Sequence, residues 1–502
     1  MSSAQLSVSN DSLQHGTHIV IIGGGVTGLA AAYHVQKQAR AAGVALRYTL
    51  VERDERLGGK IITDYPGDAG EFVVEGGPDS FVARKPWAIE LVRELGLGDE
   101  VIGTNQARHS TYVLRHGRLT PLPAGLGMIA PTQWLPFLRS PLFSPWGKLR
   151  MALEQFIPVR RNAADETLAD FVRRRFGQEA LDLLGEPLLA AIHSGVADRQ
   201  SMLATFPNFR AMEREHGSVT RAARKQAAKA RQNGVQSAAF VSLRGGIGTL
   251  VDALVSRLHG TLLTGRAAVG LEPDENPGSY RVHLDDGTML HADALIVTTP
   301  AYAAADLVAS FSPELARTLR EIPYVSTGTI TLAYRRSEVG APLDGFGVVI
   351  PRGEGRRINA CTMTSLKFPH RAPDDHLLIR VFVGGVNRPD LLHLDDHALV
   401  SVVREELHDV LGIAATPVWS RVYRWWNANP QYNLGHLERV ERIAARCPPG
   451  LFLAGSAYRG VGIPDCVRQA QEAAEQAFMS IQTRQVCGET HADEHDSTSV
   501  LT

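Results

Sequence analysis

Three glycines near the start of the chain have the spacing of a phosphate-binding loop. Gly23, Gly25 and Gly28 form the pattern G-x-G-x-x-G, with an apolar run before it and an alanine-rich run after it. In this motif the first glycine permits a tight turn, the second lets the backbone approach a pyrophosphate, and the third lets helix and strand pack closely. The N-terminus of the helix offers free N–H groups to the phosphate anions. Alone, the pattern also fits a strand–turn–helix that binds nothing.

An acidic residue at the expected distance favours a ligand-binding role for this loop. Residues 46–51 form a predicted second strand that ends on Glu52, 24 positions after Gly28. A carboxylate near this spacing binds the ribose hydroxyls of a dinucleotide. Because strand, glycines, helix, strand and acid occur in the expected order, the sequence predicts a dinucleotide site. The first strand, residues 19–22, is continuously apolar and is predicted to be buried on both faces.

Additional glycine clusters indicate which dinucleotide is bound. They occupy positions 58–59, 76–77 and 455–462, far apart in the sequence. Backbone that passes close to a flat ligand favours glycine. A ligand enclosed by returning segments of the chain suggests FAD that is held for many turnovers, although unrelated turns would also contain glycines.

Composition limits the size, the partners and the location of the protein. The chain has 502 residues, enough for two or three domains, and its 52 basic residues nearly balance 53 acidic ones. No global field therefore favours nucleic acid or an anionic membrane. The polar N-terminus lacks a secretory pattern, and no apolar run reaches the roughly 18 residues of a membrane helix. The sequence predicts a cytoplasmic location without a transmembrane segment, leaves peripheral membrane contact open, and predicts free thiols at Cys361, Cys447, Cys466 and Cys487.

The order of the patterns predicts an α/β protein that has a Rossmann-like FAD-binding domain, a sheet-based substrate domain and a helical insertion. The FAD-binding domain is predicted to combine residues 17–86, 238–300 and 440–482, and the substrate-binding domain to cover 301–439. Residues 1–16 are predicted to be a polar tail and 483–502 a disordered tail, with no metal site.

The predicted helical insertion, residues 87–210, contains an apolar, proline-rich stretch at 122–156. This stretch either packs on the core, or forms an apolar mouth that admits a greasy substrate or touches a membrane. The segment 211–237 is predicted to be a basic, mobile excursion. Its arginines and lysines lack the interleaved aromatic residues of a nucleic-acid site, so no nucleic-acid partner is predicted.

Eight motifs together resemble the protoporphyrinogen/coproporphyrinogen oxidases of the flavin amine oxidase superfamily. They are GGGVTGLAAAY, VERDERLGGK, EGGPDSFVARK, EPLLAAIHSG, ATFPNF, LRGGIGTLVDAL, NPQY and GVGIPDC. The form of EGGPDSFVARK and EPLLAAIHSG is most similar to the bacterial coproporphyrinogen III oxidase branch. The chain departs from the family pattern at 66–70, at 210–234 and in its long polar C-terminal tail.

The resemblance implies an FAD enzyme of heme biosynthesis that removes six electrons from a porphyrinogen, uses O2 and releases hydrogen peroxide. It implies pyrophosphate binding by Gly23, Gly24, Gly25, Val26, Thr27 and Gly28. It places Glu52 at the ribose, the backbone of Ala268 at the adenine, and Val461, Gly462 and Ile463 at the isoalloxazine. Lys60, Gly76, Gly77, Pro78 and Asp79 flank the flavin side, and Arg53, Gly59 and Gly455 complete the cofactor set.

The resemblance also implies that Lys85, at the end of EGGPDSFVARK, is the position nearest the substrate carboxylates. Arg84 beside it is the second predicted substrate-binding residue, since a porphyrinogen has anionic rims that need cations. No catalytic residue or general base is assigned, since the cofactor carries the hydride chemistry. Three alternatives stay open. One is a protoporphyrinogen IX oxidase of the same family, and a second is a flavin amine oxidase with an aromatic cage, for which Trp425 and Trp426 could be mistaken. The third is a non-enzymatic relative similar to the Rab escort and dissociation-inhibitor proteins. The oligomeric state is not predicted.

Overall fold

The computed structural model describes residues 16–105, 110–188, 194–232, 239–340 and 344–496, and the side chains of these residues except for 231 and 485–496. The strands are β1 Thr17–Ile22, β2 Leu46–Val51, β3 Thr63–Asp64, β4 Val74–Glu75, β5 Phe81–Val82, β6 Val101–Gly103, β7 Thr111–Arg115, β8 Arg118–Pro121, β9 Leu126–Gly127, β10 Ala130–Pro131, β11 Phe240–Leu243, β12 Thr261–Leu263, β13 Ala268–Pro273, β14 Tyr280–Leu284, β15 Met289–Ala292, β16 Ala294–Val297, β17 Tyr324–Arg335, β18 Gly347–Val349, β19 Ala360–Met363, β20 His376–Gly384, β21 Trp419–Pro430 and β22 Leu451–Leu453.

The helices are α1 Val26–Ala42, α2 Pro86–Glu94, α3 Trp134–Arg139, α4 Pro145–Ala152, α5 Leu168–Arg175, α6 Gln178–Ala180, α7 Met202–Thr205, α8 Pro207–His216, α9 Val219–Gln232, α10 Gly248–Val255, α11 Ala301–Val308, α12 Pro313–Arg320, α13 Thr364–Lys367, α14 Asp396–Leu411, α15 His436–Arg446 and α16 Ile463–Asp496. Helix α6 continues as a π-helical turn, Leu181–Gly185, and short 3₁₀ turns include Gly98–Glu100, Leu153–Phe156, Arg336–Glu338, Arg352–Glu354 and Pro389–His393.

A parallel sheet with the strand order β12-β2-β1-β16-β22 forms the core of the first domain. Helices α1, α2, α10 and α16 cover one face, while β13–β15, α11, α12 and α15 cover the other. Because both faces are covered, residues 19–22 of β1 and all of β16 are apolar without alternation, as expected for a buried parallel sheet. The predicted α/β class with sheet-based domains is confirmed. Helices α2, α11 and α12 also pack on this domain, so its interior extends beyond the predicted boundaries at 86 and 300.

A second sheet has the order β21-β17-β20-β19-β18-β7-β8, and α14 packs on it. Strands β7 and β8 come from the segment that was predicted to be a helical insertion. They form a hairpin whose turn contains His116 and Gly117, both at positive φ. The hairpin joins the sheet through β7, which pairs in parallel with β18, so a long crossover connects these two strands.

The prediction of a mobile excursion at 211–237 is wrong for the residues that the structure describes there. Helices α8 and α9 occupy most of the segment, and Val219 and Ala222 of α9 are fully buried. The buried Glu154 carboxylate accepts hydrogen bonds from the Ser218 hydroxyl and from the first N–H groups of α9, which fixes the start of the helix. Residues 233–238 lie outside the described residues.

At the C-terminus, α16 continues to Asp496, so the backbone of residues 483–496, within the predicted disordered tail, is helical. Residues 497–502, and 1–15 of the predicted polar tail, lie outside the described residues. Cys361, Cys447 and Cys466 are free thiols, as predicted, and burial raises the pKa of Cys466 to about 11. No helix within the described ranges is long and apolar enough to cross a membrane.

Candidate cofactor and substrate site

The three glycines of the first loop meet three different geometric demands. Gly23 has a φ of +108°, which few other residues adopt. A Cβ on Gly28 would lie 1.8 Å from the carbonyl oxygen of Gly23, so α1 packs against the turn only without a side chain there. A Cβ on Gly25 would meet no atom within 4 Å, and its φ of −70° suits any residue, so the protein backbone itself does not require glycine there. Gly25 therefore leaves open space at the N-terminus of α1, where a pyrophosphate is expected.

Glu52 lies beside this loop at the end of β2. Its Oε2 accepts a hydrogen bond from the N–H of Gly24 at 2.5 Å, and its Oε1 accepts one from the N–H of Asp54 at 2.9 Å. The N–H of Arg266 donates to the Glu52 carbonyl at 3.0 Å, so the segment that leads to Ala268 in β13 is next to it. Arg53, predicted for the cofactor set, is exposed and pairs with Asp54. The Glu52 carboxylate therefore braces the glycine loop and the turn that follows β2.

The second glycine cluster lies directly on the first. The N–H of Gly58 donates to the carbonyl of Gly24 at 2.8 Å, and a Cβ on Gly59 would lie 3.0 Å from the Cα of Gly25. Lys60 follows, and its Nζ donates to the Ala428 carbonyl and lies 3.5 Å from the Ser456 hydroxyl. Burial lowers the pKa of Lys60, because the charged ammonium loses hydration.

The third cluster, Gly76 and Gly77, joins the second sheet to this site. A Cβ on Gly77 would lie 1.8 Å from the Lys60 carbonyl oxygen, so the two segments are in close contact. The Gly76 carbonyl accepts hydrogen bonds from Thr329 Oγ1 and Trp425 Nε1, both at 2.9 Å. Trp425 is therefore tied to the backbone of this motif, whereas Trp426 is 49% exposed.

Asp79, after Pro78 in the same motif, is paired with Lys367 at 2.8 Å. Burial would raise the pKa of Asp79, but the charges of Lys367 and Arg380 outweigh it and hold the pKa well below its usual range. Arg380 is buried in β20 and donates to the carbonyls of Gly76 and Gly77. Sequence reasoning did not assign Lys367 or Arg380, although an arginine inside the apolar run LLIRVFV was a signal for the second.

The C-terminal glycine segment completes the convergence. Gly455, at φ +128°, follows β22, and a Cβ there would lie 3.5 Å from the Thr298 carbonyl of the first domain. Val461 and Gly462 lead into α16, which starts at Ile463. The structure thus brings together the segments that the sequence placed around one cofactor.

The predicted substrate residues are placed differently from each other. The Nζ of Lys85 lies 2.7 and 2.6 Å from the two carboxylate oxygens of Asp465, in the first turn of α16. The Lys85 side chain is 39% exposed. Arg84, its neighbour, is exposed. Lys85 therefore has a protein counter-ion that the sequence did not reveal.

The residues present fit a bound dinucleotide. Besides the space beside Gly25, the hydroxyl of Thr299 is buried and lacks a hydrogen-bond partner among the described residues. Its neighbour Thr298 donates to the carbonyls of Ile22 and Gly23, so the unpartnered hydroxyl lies close to the first glycine loop. A buried hydroxyl of this kind needs a partner, which a phosphate oxygen would provide.

The fold and the converging glycine loops define a dinucleotide-binding oxidoreductase in which a second sheet packs beside the glycine loops. The chain belongs to the family of flavin-containing amine oxidoreductases, whose model matches residues 26–477, and its cofactor is FAD.

Within that family its relatives are porphyrinogen oxidases, as the resemblance implied. A coproporphyrinogen III oxidase of Bacillus subtilis (strain 168) is 36% identical over 467 residues, 92% of this chain and 98% of the relative. A protoporphyrinogen oxidase of Bos taurus is 31% identical over 486 residues, 91% of this chain and 98% of the relative. A solved structure from Exiguobacterium sp. 255-15, assigned as a protoporphyrinogen oxidase, has a TM-score of 0.81 and 32% identity, and the match covers 93% of this chain and 99% of that one.

Proposed function

We propose that this chain oxidises coproporphyrinogen III to coproporphyrin III in the cytoplasm, as a step of heme biosynthesis. The observation that carries the proposal is the 36% identity to a coproporphyrinogen III oxidase along 92% of the chain. Six electrons and six protons leave the porphyrinogen, and three O2 molecules accept them to give three molecules of hydrogen peroxide. When bound, FAD would supply the hydride acceptor, and O2 would reoxidise the reduced flavin.

The chain's own residues hold the reactants. The N–H groups at the start of α1 and the open side of Gly25 receive the pyrophosphate, and Glu52 receives the ribose hydroxyls. The backbone of 76–79 and of 461–463 flanks the flavin ring. Arg84 and Lys85 provide positive charge for the propionates at the substrate rim. Coproporphyrinogen III carries four propionates and protoporphyrinogen IX carries two, so a cationic rim favours the former.

The test follows porphyrin fluorescence in air without added nicotinamide. We expect kcat/KM to be higher for coproporphyrinogen III than for protoporphyrinogen IX, with hydrogen peroxide released. Equal or higher kcat/KM for protoporphyrinogen IX would instead support the second candidate, which the 31% identity to the Bos taurus enzyme favours. Oxidation of simple amines and of neither porphyrinogen would support a flavin amine oxidase.

Two variants test the rim charges. Because Asp465 already neutralises Lys85, we expect Arg84→Ala to reduce the preference for coproporphyrinogen III more than Lys85→Ala does. A rim charge contributes about 0.5–1 kcal/mol, which corresponds to a two- to fivefold change in the preference. Arg317→Ala, at a 69% exposed side chain paired with Glu314, is the control and should leave the preference unchanged. An unchanged preference in both Arg84→Ala and Lys85→Ala would refute the assignment of the rim.

We also propose a peripheral contact between this protein and an anionic membrane. Six large apolar side chains are exposed on α3, α4 and the following 3₁₀ turn: Leu135, Leu138, Trp146, Leu149, Leu153 and Phe156. Trp146 and Phe156 are 79% and 77% exposed. Lys148 in α4 donates to the carbonyl of Leu138 at 2.8 Å, so α3 and α4 are adjacent. Exposed apolar residues at this density mark an interaction surface.

Basic residues lie beside this apolar surface. Arg221, Arg224 and Lys225 of α9, with Thr132, line a cleft of about 420 Å³. Arg221 donates to the carbonyl of Gln155 at 3.1 Å, which places α9 against the apolar 3₁₀ turn. Apolar side chains next to cations suit an anionic lipid surface.

Sedimentation with vesicles tests this contact. We expect the protein to bind vesicles that contain phosphatidylglycerol and not pure phosphatidylcholine. The double variant Trp146→Ser/Phe156→Ser should lose binding, whereas Trp87→Phe, at a ring that packs under Arg468 elsewhere, should retain it. Equal sedimentation with both vesicle types, or with neither, would refute the contact.

A further inference from the structure

A buried tyrosine hydroxyl binds the C-terminal glycine loop, residues 455–462, at two backbone positions. Tyr432, in the motif NPQY, is 1% exposed. Its hydroxyl donates to the Ser456 carbonyl at 2.7 Å and accepts from the N–H of Gly460 at 2.9 Å. One phenol therefore joins two backbone positions four residues apart and closes the turn between them.

A histidine supports that tyrosine. The rings of Tyr432 and His436 are stacked, with centroids 3.9 Å apart and planes 13° from parallel. His436 is fully buried, and its Nε2 lies 2.8 Å from the Tyr458 carbonyl, inside the same turn. Since a carbonyl only accepts, Nε2 must carry the proton. Burial lowers the pKa of His436 to about 4, so the ring is neutral near pH 7.

The opposite side of the loop faces the cofactor segments. The Ser456 hydroxyl is 3.5 Å from Lys60, and a Cβ on Gly460 would lie 2.4 Å from the Asp465 side chain that binds Lys85. The loop thus lies between Tyr432 and His436 on one side and Lys60 on the other. A shift of the turn would move the backbone of 461–463.

We propose that Tyr432 is a positioning residue for the cofactor, and that His436 holds Tyr432 in place. The Tyr432 hydroxyl fixes the turn, and the turn fixes the backbone of 461–463 against the flavin ring. The inference rests on the proposed placement of 461–463 at the flavin. Binding of FAD as a whole depends mostly on the first glycine loop, so a displaced turn should alter the flavin's orientation more than its retention. Orientation errors of about 1 Å can lower a rate a hundredfold.

The test uses Tyr432→Phe, which keeps the stacked ring and removes only the hydroxyl. Tyr280→Phe is the matched control, because Tyr280 is also buried in the first domain and donates to a backbone carbonyl, that of Pro449, at 2.6 Å. Both holoproteins are measured by visible circular dichroism of the flavin, by its midpoint potential, and by kcat and KM for coproporphyrinogen III.

We expect Tyr432→Phe alone to change the flavin dichroism and the midpoint potential, and to lower kcat about tenfold or more while KM changes less than about twofold. Equal spectra, potentials and kcat in the two variants would overturn the proposal. If Tyr432→Phe does not retain FAD, His436→Phe replaces it, since it keeps the stack and loses the contact to Tyr458. For His436→Phe we expect changes in flavin dichroism, midpoint potential and kcat that have the same signs but are smaller. No change in any of these three quantities would overturn the proposal. The dichroism and the potential need no substrate, so failure of the porphyrinogen assay in the parent protein would reject the proposed function separately.

Discussion

The dinucleotide-binding domain and the helical region of residues 134–232 are stabilised by different kinds of residue. The first packs apolar strands under helices and uses glycine wherever two backbones approach each other. The second also has an apolar core, but it contains a cluster of seven charged side chains: Glu154, Arg160, Glu166, Arg174, Arg175, Arg210 and Glu213. The comparison shows that a glycine motif can be recognised from its spacing in the sequence. Ion pairs between residues that are distant in the sequence cannot be recognised in this way.

The charge cluster ties the helical region together. Arg175 pairs with Glu154, and both are fully buried. Arg174 reaches Glu213 at 2.7 Å and Glu166 at 2.8 Å. Burial alone would raise the pKa of Glu213, but the hydrogen bonds and charges of its neighbours lower it to about 2. A buried network of this kind tolerates the loss of a member poorly, because a partner is left charged and unpaired.

The largest expected effect comes from breaking this cluster. Arg175→Met should lower the free energy of unfolding by about 3–5 kcal/mol, since Glu154 would remain buried without its guanidinium. Arg317→Met, at the exposed pair with Glu314, should change it by at most about 1 kcal/mol. Urea unfolding of all three proteins measures the difference. A loss below about 1 kcal/mol in Arg175→Met would show that the two regions do not differ in this way.

The second largest effect is expected from filling the close contact between helix α1 and the first glycine loop. Gly28→Ala places a Cβ 1.8 Å from the Gly23 carbonyl oxygen, so helix α1 and the turn must separate. We expect the apoprotein to lose about 3 kcal/mol of stability, the upper end for overpacking. Thermal or urea unfolding of FAD-free protein tests this. Unchanged stability would mean that the close contact does not stabilise the domain.

Sequence reasoning succeeded where a residue type has a local cause. Strand β1 was predictable because residues 19–22 are continuously apolar, as a strand covered on both faces must be. Strand β2 was predictable from its position between the glycine loop and Glu52. The turn residues Asp285-Asp286-Gly287 are typical of a hairpin, and the structure has the β14–β15 hairpin there. The first glycine loop was predictable because the spacing of its glycines is typical of a tight turn between a strand and a helix. These signals depend on neighbours within a few positions.

Prediction from the sequence failed where a residue's environment depends on partners that are distant in the chain. The counter-ion of Lys85 was not predicted, because Asp465 is 380 positions away in the sequence. Helix α9 was predicted to be mobile, although its alanines, glutamines and basic residues are good helix formers. What the sequence hides is that Glu154 caps this helix and that its buried face consists of small residues such as Ala222.

A smaller effect concerns the ribose contact. Glu52→Ala should leave the chain folded and lower FAD affinity by about tenfold or more, because a hydrogen bond to a charged acceptor contributes about 1.5–3 kcal/mol. The variant also removes the bond to the Gly24 N–H, which acts in the same direction. Glu55→Ala, at an exposed carboxylate three positions on, is the control. FAD retention is measured by dialysis, and retention equal to that of the parent protein would reject the role of Glu52.

The smallest effect on stability is expected at Gly25, which lies in the same loop as Gly28. Gly25 has an ordinary φ, and a Cβ there would meet no atom within 4 Å, unlike one at Gly28 three positions away. Gly25→Val should therefore change the stability of the apoprotein by no more than about 1 kcal/mol, the scale of a helix-capping effect. Yet the side chain would fill the space in which the backbone approaches the pyrophosphate, so the purified protein should be colourless. The measurements are unfolding of FAD-free protein and flavin absorbance after incubation with FAD. Normal flavin content would show that the phosphates lie elsewhere, and a loss of stability as large as that of Gly28→Ala would show that Gly25 serves the fold rather than the cofactor.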